Sequence, residues 1–273
     1  MKQELSRKLG AFASAVVVGL ASALAPVAVM AHEFWLQPDT FHPQIDDTVM
    51  VNTLIGADFV GDSLPYIPEL VKKFTVLDRD GEHPAGAGFA ADQAGRVEIN
   101  EPGLHIVAFQ NNGTDTEVDW PVFEKYLRDE GLNQYLAPAK ERADAYAGIA
   151  TEFYSRHAIA MIQSGPARDV VPPRRGLTLE FSPAVNPYAL ADGAELPVRL
   201  IWQGRPAAGV QVHVLNDLAG GTVAKLRTDQ QGMVRIRLDR GGIWMLNAVT
   251  MVPDPSQKFH WRSYWTSLTF SRN

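Results

Sequence analysis

The stretch Gly95-Arg96-Val97-Glu98-Ile99, followed by Gly103-Leu104-His105-Ile106, sets a pattern that the second half of the chain repeats. There the corresponding residues are Gly232-Met233-Val234-Arg235-Ile236 and Gly242-Ile243-Trp244-Met245. In both places a turn glycine precedes an alternating strand, and a second glycine turn leads into another. Short strands with regular turns are typical of antiparallel sandwiches. The repeat indicates either an internal duplication or two hairpins that resemble each other only as hairpins do.

The residues around these hairpins extend the β pattern. Residues 49–109 and 177–270 have mostly the period-two alternation of half-buried strands. We therefore predict a mainly β protein with two antiparallel sandwich domains of the immunoglobulin-like or prealbumin-like kind. The N-terminal sandwich is predicted to span residues 32–120 and the C-terminal sandwich residues 177–273.

Between the two predicted sandwiches the spacing becomes helical. Residues 122–127 open a predicted helix that Gly131 closes. A second helix is predicted from about Pro138 to Ile162, because its apolar residues recur at three- and four-residue intervals and would share one face. Residues 164–176, rich in proline and glycine, are typical of a linker. Residues 121–176 are therefore predicted to be a helical insertion and linker.

The first 31 residues have the layout of an export signal. A short basic region precedes an apolar stretch at residues 11–28, and Val29 and Ala31 fit the positions before a cleavage site. Cleavage after Ala31 would release a periplasmic protein that begins at His32. An uncleaved membrane anchor is the alternative. No later stretch approaches the roughly 20 apolar residues of a transmembrane helix.

Composition narrows the classes of function. The predicted signal holds three basic residues and one acidic residue, so the rest of the chain has 22 basic and 30 acidic residues and a net charge of −8. Such a chain is a poor candidate for binding nucleic acid or anionic lipid. There is no cysteine, which excludes disulfides, thiolate metal ligands and cysteine nucleophiles. The nucleophile elbow, the Walker loop and the dinucleotide fingerprint are also missing, so we do not predict an enzyme.

His32 is the main candidate metal ligand. As the first residue of a mature chain it would offer two nitrogen donors, its imidazole and its free α-amine, and a divalent transition metal can use both. Cleavage at another bond would leave an ordinary histidine instead. The spacing does not supply a histidine pair of the kind found on a zinc-protease helix. Any metal site must therefore be assembled by the fold from distant segments.

Three further histidines are candidates to complete such a site. His157 lies on the apolar face of the second predicted helix, His42 lies at a predicted strand start, and His260 precedes the last strand. Packing or solvation is the alternative explanation for these histidines. The other three histidines are predicted to be sandwich or turn residues: His105, His213 and His83.

Several segments, in order, resemble a known family. They are His32-Glu33-Phe34-Trp35-Leu36-Gln37-Pro38, Phe123-Glu124-Lys125-Tyr126-Leu127-Arg128-Asp129-Glu130-Gly131-Leu132, Tyr154-Ser155-Arg156-His157-Ala158, Asn186-Pro187-Tyr188-Ala189-Leu190, Leu196-Pro197-Val198-Arg199-Leu200 and Ser263-Tyr264-Trp265-Thr266-Ser267-Leu268-Thr269-Phe270. Together they resemble the bacterial domain-of-unknown-function family 4198, whose members are often labelled periplasmic components of nickel uptake. The resemblance implies an exported two-sandwich protein that accompanies nickel or cobalt import. It places His32 and His157 on family motif positions. Thr250 stands where members are expected to carry histidine, which would alter a metal site that used that position.

The sequence thus favours a periplasmic metal-binding accessory protein of nickel or cobalt uptake. His32, His157, His42 and His260 are its candidate ligands, copper and zinc are further possible ions, and a membrane transporter is the expected partner. Two other functions remain open. One is a copper carrier or copper oxidative enzyme built on the terminal histidine. The other is a sandwich module that binds a surface or a carbohydrate without metal.

Overall fold

The computed structural model of the chain describes residues 33–86, 94–168, 170 and 172–273. The predicted signal and His32 lie outside the described residues. Within them the chain forms two α-helices, α1 (Trp120–Asp129) and α2 (Leu136–Ala145). The strands in the same residues are β1 (Glu33–Pro38), β2 (Thr48–Ala57), β3 (Val60–Ser63), β4 (Val71–Asp78), β5 (Gly81–Pro84), β6 (Gly95–Glu98), β7 (Gly103–Asn111), β8 (Thr114–Asp119), β9 (Ile149–Ser164), β10 (Leu179–Pro183), β11 (Glu195–Trp202), β12 (Arg205–Pro206), β13 (Gln211–Asn216), β14 (Gly221–Arg227), β15 (Met233–Arg237), β16 (Gly242–Pro253) and β17 (Trp261–Arg272).

These strands form a central sheet and two outer sheets. The central sheet has the order β14-β13-β16-β17-β9-β7-β4-β5, and β8 pairs with the remaining part of β9. The first outer sheet contains β1, β2, β3 and β6, and the second contains β10, β11, β12 and β15. Neither described helix is long and apolar enough to span a membrane.

The two halves of the chain use the same strand plan. Each outer sheet is built on an antiparallel pair of strands whose second strand also pairs with a later strand. In the first outer sheet β1 and β2 form the pair, and β6 pairs with β2. In the second outer sheet β10 and β11 form the pair, and β15 pairs with β11. In the central sheet, β5-β4-β7-β9 of the first half meets β14-β13-β16-β17 of the second half. The sequence repeat corresponds to β6 and β7 in one half and to β15 and β16 in the other. The predicted mainly β, two-sandwich fold class is confirmed, whereas its origin by duplication stays a prediction.

The two halves join through β9 and β17, which pair in parallel. The two halves would be related by a two-fold rotation about an axis parallel to these strands. Such a rotation keeps the strand direction and exchanges the two faces of the central sheet, so the two outer sheets should lie on opposite faces of the central sheet. Burial agrees: Val107 and Ala160 pack under the first outer sheet, whereas their neighbours Ile106 and Ile159 pack under the second. One continuous sheet thus contains strands of both predicted domains. Independent folding of the two domains stays a prediction.

Strand β9 lies where the sequence predicted a helix. Residues 149–162, predicted to continue the second helix, belong to this strand instead. Residues 155–164 are buried without interruption, because an outer sheet covers each face of the central sheet. A strand with two buried faces loses its period-two alternation, and the spacing of Ile149, Phe153 and His157 then imitates a helix. Because β9 pairs with β7, it completes the first half beyond the boundary predicted at residue 120.

The two helices and β8 are inserted between β7 and β9. Helix α1 has a proline in its first turn, and Gly131, with a φ of 69°, follows its end. Its buried face, which includes Phe123 and Tyr126, packs against central-sheet residues such as Trp265. Trp265 pairs in register with Arg156, whose guanidinium lies over the ring of Phe34 in β1. The helices and the first outer sheet therefore lie side by side on one face of the central sheet.

Candidate functional site

A row of polar side chains crosses four neighbouring strands of the central sheet. Lys225 of β14 pairs with His213 of β13, His213 with Asn247 of β16, and Asn247 with Ser267 of β17. Residues directly opposite each other on neighbouring strands project from the same face. We call these four residues the polar row. Asn247 and Ser267 are buried, and the Ser267 hydroxyl has no hydrogen-bond partner among the described residues.

Two glutamates from other parts of the fold lie at this row. Glu130 directly follows α1 and is buried, with one carboxyl oxygen 3.5 Å from Nε2 of His213. Glu33 begins β1, and its carboxylate accepts a 3.2 Å hydrogen bond from the backbone N–H of Asp58. The charge of Glu33 is close enough to Glu130 to raise the pKa of that carboxyl group. The site therefore lies where α1, β1 and the second half of the central sheet meet.

Burial controls the protonation of these groups. It raises the pKa of Glu130 to about 8, with a further contribution from the charge of Glu33. Burial also raises the pKa of Glu33 to about 7, and the charge of Asp58 adds to the shift. The pKa of His213 is lowered to about 4 by burial and by the nearby Lys225. At neutral pH the contact between Glu130 and His213 is therefore a contact between a mostly protonated carboxyl and a neutral imidazole rather than an ion pair.

Hydrogen bonds fix the orientation of the His213 ring. Its Nε2 lies 2.8 Å from the side-chain amide of Gln211, two residues earlier on the same face of β13. The same amide donates to the backbone carbonyl of Asp129 at the end of α1. Gln211 thus connects the His213 ring to the end of α1, which Glu130 directly follows. Neutral imidazole and carboxylate oxygen are both ligand types that divalent transition metals accept.

His157 lies on the opposite face of the central sheet from the polar row. It pairs with Thr266, the neighbour of Ser267, and its Nδ1 is 2.8 Å from the carbonyl oxygen of Trp265. The ring is fully buried, its Nε2 has no partner among the described residues, and burial lowers its pKa to about 4. This is the environment of a packed core histidine, and it separates His157 from the described candidate ligands on the other face.

His42 and His260 lie near opposite ends of β17. His42 contacts the hydroxyl of Ser271 through Nε2 at 2.8 Å. His260 precedes the strand, and its Nδ1 accepts a 3.2 Å hydrogen bond from the backbone N–H of Thr151. A strand advances about 3.3 Å per residue, so the two are roughly 30 Å apart, with His157 between them. The structure therefore does not bring His157, His42 and His260 together.

The fold instead groups residues that were not predicted from the sequence to be metal ligands. His213 was predicted to be an ordinary sandwich residue, and Glu33 and Glu130 were not singled out. One signal was present: Gln211 and His213 put polar side chains on one face of β13, whereas Val212 and Val214 put apolar side chains on the other face. His32, the leading candidate, lies outside the described residues. In the described ranges there is no group of three or more histidine, aspartate or glutamate side chains spaced to hold a metal ion.

The comparisons with known proteins show the family. The model of the family described as "Domain of unknown function (DUF4198)" matches residues 29–252, and the chain belongs to this family. The family resemblance seen in the sequence is thereby confirmed. No curated protein matches the chain.

Two solved structures are similar at a low level. The D0-D1 domain of intimin is 11% identical, with 87% of this chain and 97% of that chain covered and a TM-score of 0.22. The dimeric latent PorU from Porphyromonas gingivalis is also 11% identical, with 93% of this chain and 21% of that chain covered and a TM-score of 0.18. At these TM-scores neither likeness carries an argument about fold or function.

Proposed function

We propose that the mature protein is a periplasmic accessory protein that binds a divalent transition metal, with His32, Glu130 and His213 as ligands. It would capture the ion and pass it to a membrane transporter of nickel or cobalt. One observation carries the proposal: Glu33, to which His32 is covalently joined, is connected to the second half of the central sheet through Asp58, which hydrogen-bonds to Glu33 and to Thr222 of β14. The charge of Glu33 raises the pKa of Glu130, which contacts His213. The proposal requires the donors of His32 to act next to Glu33.

The chemistry of the donors supports this ligand set. A terminal α-amine, two imidazoles and a carboxylate give four donors of the types that nickel, cobalt, copper and zinc accept. A bound cation would also stabilise the ionised carboxylate of Glu130 at a place where burial opposes ionisation. The donors do not choose between the four metals. Nickel and cobalt are favoured by the family resemblance, and the net charge of −8 after residue 31 favours cation capture in general.

The described candidates that the sequence favoured do not support the proposal. His157 lies on the other face of the central sheet, and His42 and His260 lie near opposite ends of β17. They are replaced in the proposed set by His213 and Glu130. The transport role and the absence of catalysis remain parts of the proposal, together with export and cleavage after Ala31.

Calorimetric titration of Ni²⁺ into periplasmic mature protein with its native N-terminus tests the proposal. Glu130→Gln and His213→Gln should each weaken binding at least about tenfold, because each removes one ligand while keeping the size of the side chain approximately. His83→Gln is the matched control, since His83 is exposed on β5, the strand at the far edge of the central sheet, and contacts Asp78 there. His157→Gln should also leave the affinity unchanged.

Thermal unfolding of each variant without metal shows that the fold is retained. Unchanged Ni²⁺ affinity in both Glu130→Gln and His213→Gln would contradict the proposed ligand set. A metal-free wild type that takes up no Ni²⁺ would contradict the function as a whole.

A further inference from the structure

A cavity of about 800 Å³ lies between the first outer sheet and the central sheet. On the inward face of β2, Val49 and Val51 are fully buried, whereas Ile55 is half-buried and Ala57 is exposed. Ile55 pairs with Phe34 of β1, which packs into the core of the first half, so the two side chains point the same way. The core is therefore closed at the start of β2 and opens into the cavity near its end. We call it the sandwich cavity.

The walls of the sandwich cavity are mainly apolar. The aromatic residues that line it are Phe34 of β1, Phe109 of β7, Tyr154 of β9, and Tyr66 of the segment between β3 and β4. Phe34 and Phe109 are 4% and 6% exposed, so the floor of the cavity is part of the packed core. Cavities of this size with apolar and aromatic walls are typical binding sites for small molecules.

The buried polar groups at the cavity are paired within the protein. The Thr53 hydroxyl donates a 3.1 Å hydrogen bond to the carbonyl of Leu64. Oδ1 of Asn111 accepts hydrogen bonds from the backbone N–H groups of Gly113 and Arg156. Among the described residues that line the cavity, no buried side-chain polar atom lacks a hydrogen-bond partner. An apolar ligand would therefore leave no polar group of the wall unsatisfied.

Arg156, the one cationic residue of the lining, is engaged by groups of the protein itself. It forms a hydrogen bond with the Tyr154 side chain, and the charge of Glu152 acts on it. Its guanidinium also lies 5.6 Å from the ring centroid of Phe34. Asp62, exposed at the cavity, adds a negative charge to an acidic protein and disfavours anions. An ionised ligand would also lose its hydration on entry, so the cavity favours an uncharged one.

The rim of the cavity is apolar and exposed. Val60, Ile67 and Leu70 line it, and they are 81%, 45% and 54% exposed. Large apolar side chains that stay exposed together indicate a binding surface more often than isolated ones do. The floor at Phe34 and Phe109 lies behind this rim. A small molecule can reach it, whereas the flat surface of another protein would contact only the rim.

We propose that the sandwich cavity binds a small, uncharged aromatic molecule. Its rings pack on Phe34, Phe109 and Tyr66, and its outer end contacts the rim at Leu70. The cavity selects for an apolar surface and against charge. This site uses none of the proposed metal ligands and does not depend on metal binding.

Two fluorescent probes with the same rings and different charge test the proposal. N-phenyl-1-naphthylamine is uncharged, and 8-anilino-1-naphthalenesulfonate adds an ionised sulfonate. Each is titrated into the mature protein in the presence of EDTA, and its emission rises on transfer to an apolar site. The uncharged probe should bind one-to-one and at least about tenfold more tightly than the sulfonate. Because EDTA is present, the result does not depend on the metal proposal.

A variant that fills the cavity shows where the probe binds. Ile55→Trp places a larger side chain on the inward face of β2 and should weaken the uncharged probe at least about tenfold. Val223→Trp is the matched control, because Val223 is an exposed residue of β14 outside the cavity lining, and it should leave the affinity within about twofold of the wild type. Thermal unfolding of both variants shows whether the fold is retained.

A rim variant keeps the test valid if Ile55→Trp does not fold. Leu70→Ser should weaken the uncharged probe at least about threefold, whereas Leu218→Ser, a matched change at a residue that is 74% exposed outside the cavity, should not weaken it. Equal wild-type affinities for the two probes would overturn the proposal, and so would the absence of saturable binding of the uncharged probe. A wild-type dimer that Leu70→Ser dissociates, with no probe bound, would assign the rim to a second copy of the chain and overturn it as well.

Discussion

Replacement of the buried Glu152 by glutamine should change how the stability of the protein depends on pH. Glu152 lies on β9 and is 2% exposed, and the hydroxyl of Tyr126 donates a 3.2 Å hydrogen bond to it. Burial raises its pKa from 4.5 to about 7, against opposing effects of Ser263, Tyr126 and Arg156. The folded protein therefore keeps a proton on Glu152 in a pH range in which the unfolded chain has lost it.

The sign and the size of the effect follow from this difference. Because the folded state binds the extra proton, the contribution of Glu152 to stability is complete below pH 4.5 and is lost as the pH rises through about 7. The rise of the Glu152 pKa from 4.5 to about 7 corresponds to about 3 kcal/mol in total, of which roughly 2–3 kcal/mol falls between pH 5 and pH 8. Glutamine has nearly the same shape and does not titrate.

Urea unfolding of the wild type and of Glu152→Gln at pH 5 and pH 8 measures this contribution. The wild type should lose roughly 2–3 kcal/mol of unfolding free energy relative to the variant between the two pH values. Other groups titrate alike in both proteins and largely cancel in the comparison. A difference between the two proteins that does not change with pH would refute the reasoning, and so would a change of opposite sign.

Three further predictions concern processing, the connection between the halves, and the core. The intact mass of exported protein should correspond to a chain that begins at His32, and a start two residues earlier or later would contradict the terminal-amine mechanism. Limited trypsin digestion should cut first within residues 164–176. The two fragments should stay together in gel filtration because β9 and β17 pair across the halves. Resistance of residues 164–176 to trypsin would contradict the prediction. Phe181→Ala should cost about 3–5 kcal/mol because Phe181 is buried in the core under the second outer sheet, whereas Leu218→Ala should change stability by less than about 0.5 kcal/mol; equal effects in urea unfolding would contradict that packing.

The strands with one polar face were predictable from the sequence. In β6 and β15 buried residues alternate with residues that are more exposed, so the period-two pattern and the flanking turns identify both. Strand β9 was not predictable, because ten consecutive buried residues carry no alternation. The parallel pairing of β9 with β17 places Glu152 beside Trp261, which is more than a hundred residues away in the sequence. No local pattern in the sequence predicts this pairing.

The candidate site was predictable only in part. The position of His32 after a signal-like segment is a local feature and could be read directly. The grouping of Glu33, Glu130 and His213 depends on the docking of α1 and β1 on the central sheet, which sequence spacing does not encode. His157 was predicted to lie on the apolar face of a helix, because the residues of β9 were predicted to be helical. Once β9 is a strand, register places its ring on the face opposite Ser267.

The most direct test of the metal proposal compares the native N-terminus with a chain extended by one residue before His32. The extension converts the α-amine into an amide and keeps the imidazole, so it removes a single chelating donor. The native protein should bind Ni²⁺ with one-to-one stoichiometry, and the extended protein should bind it more weakly by several kcal/mol, roughly a hundredfold or more. Binding by the native protein should also weaken between about pH 8 and pH 6, because the amine and the imidazole must lose protons to bind. Equal affinities of the native and extended proteins would show that the terminal amine of His32 takes no part.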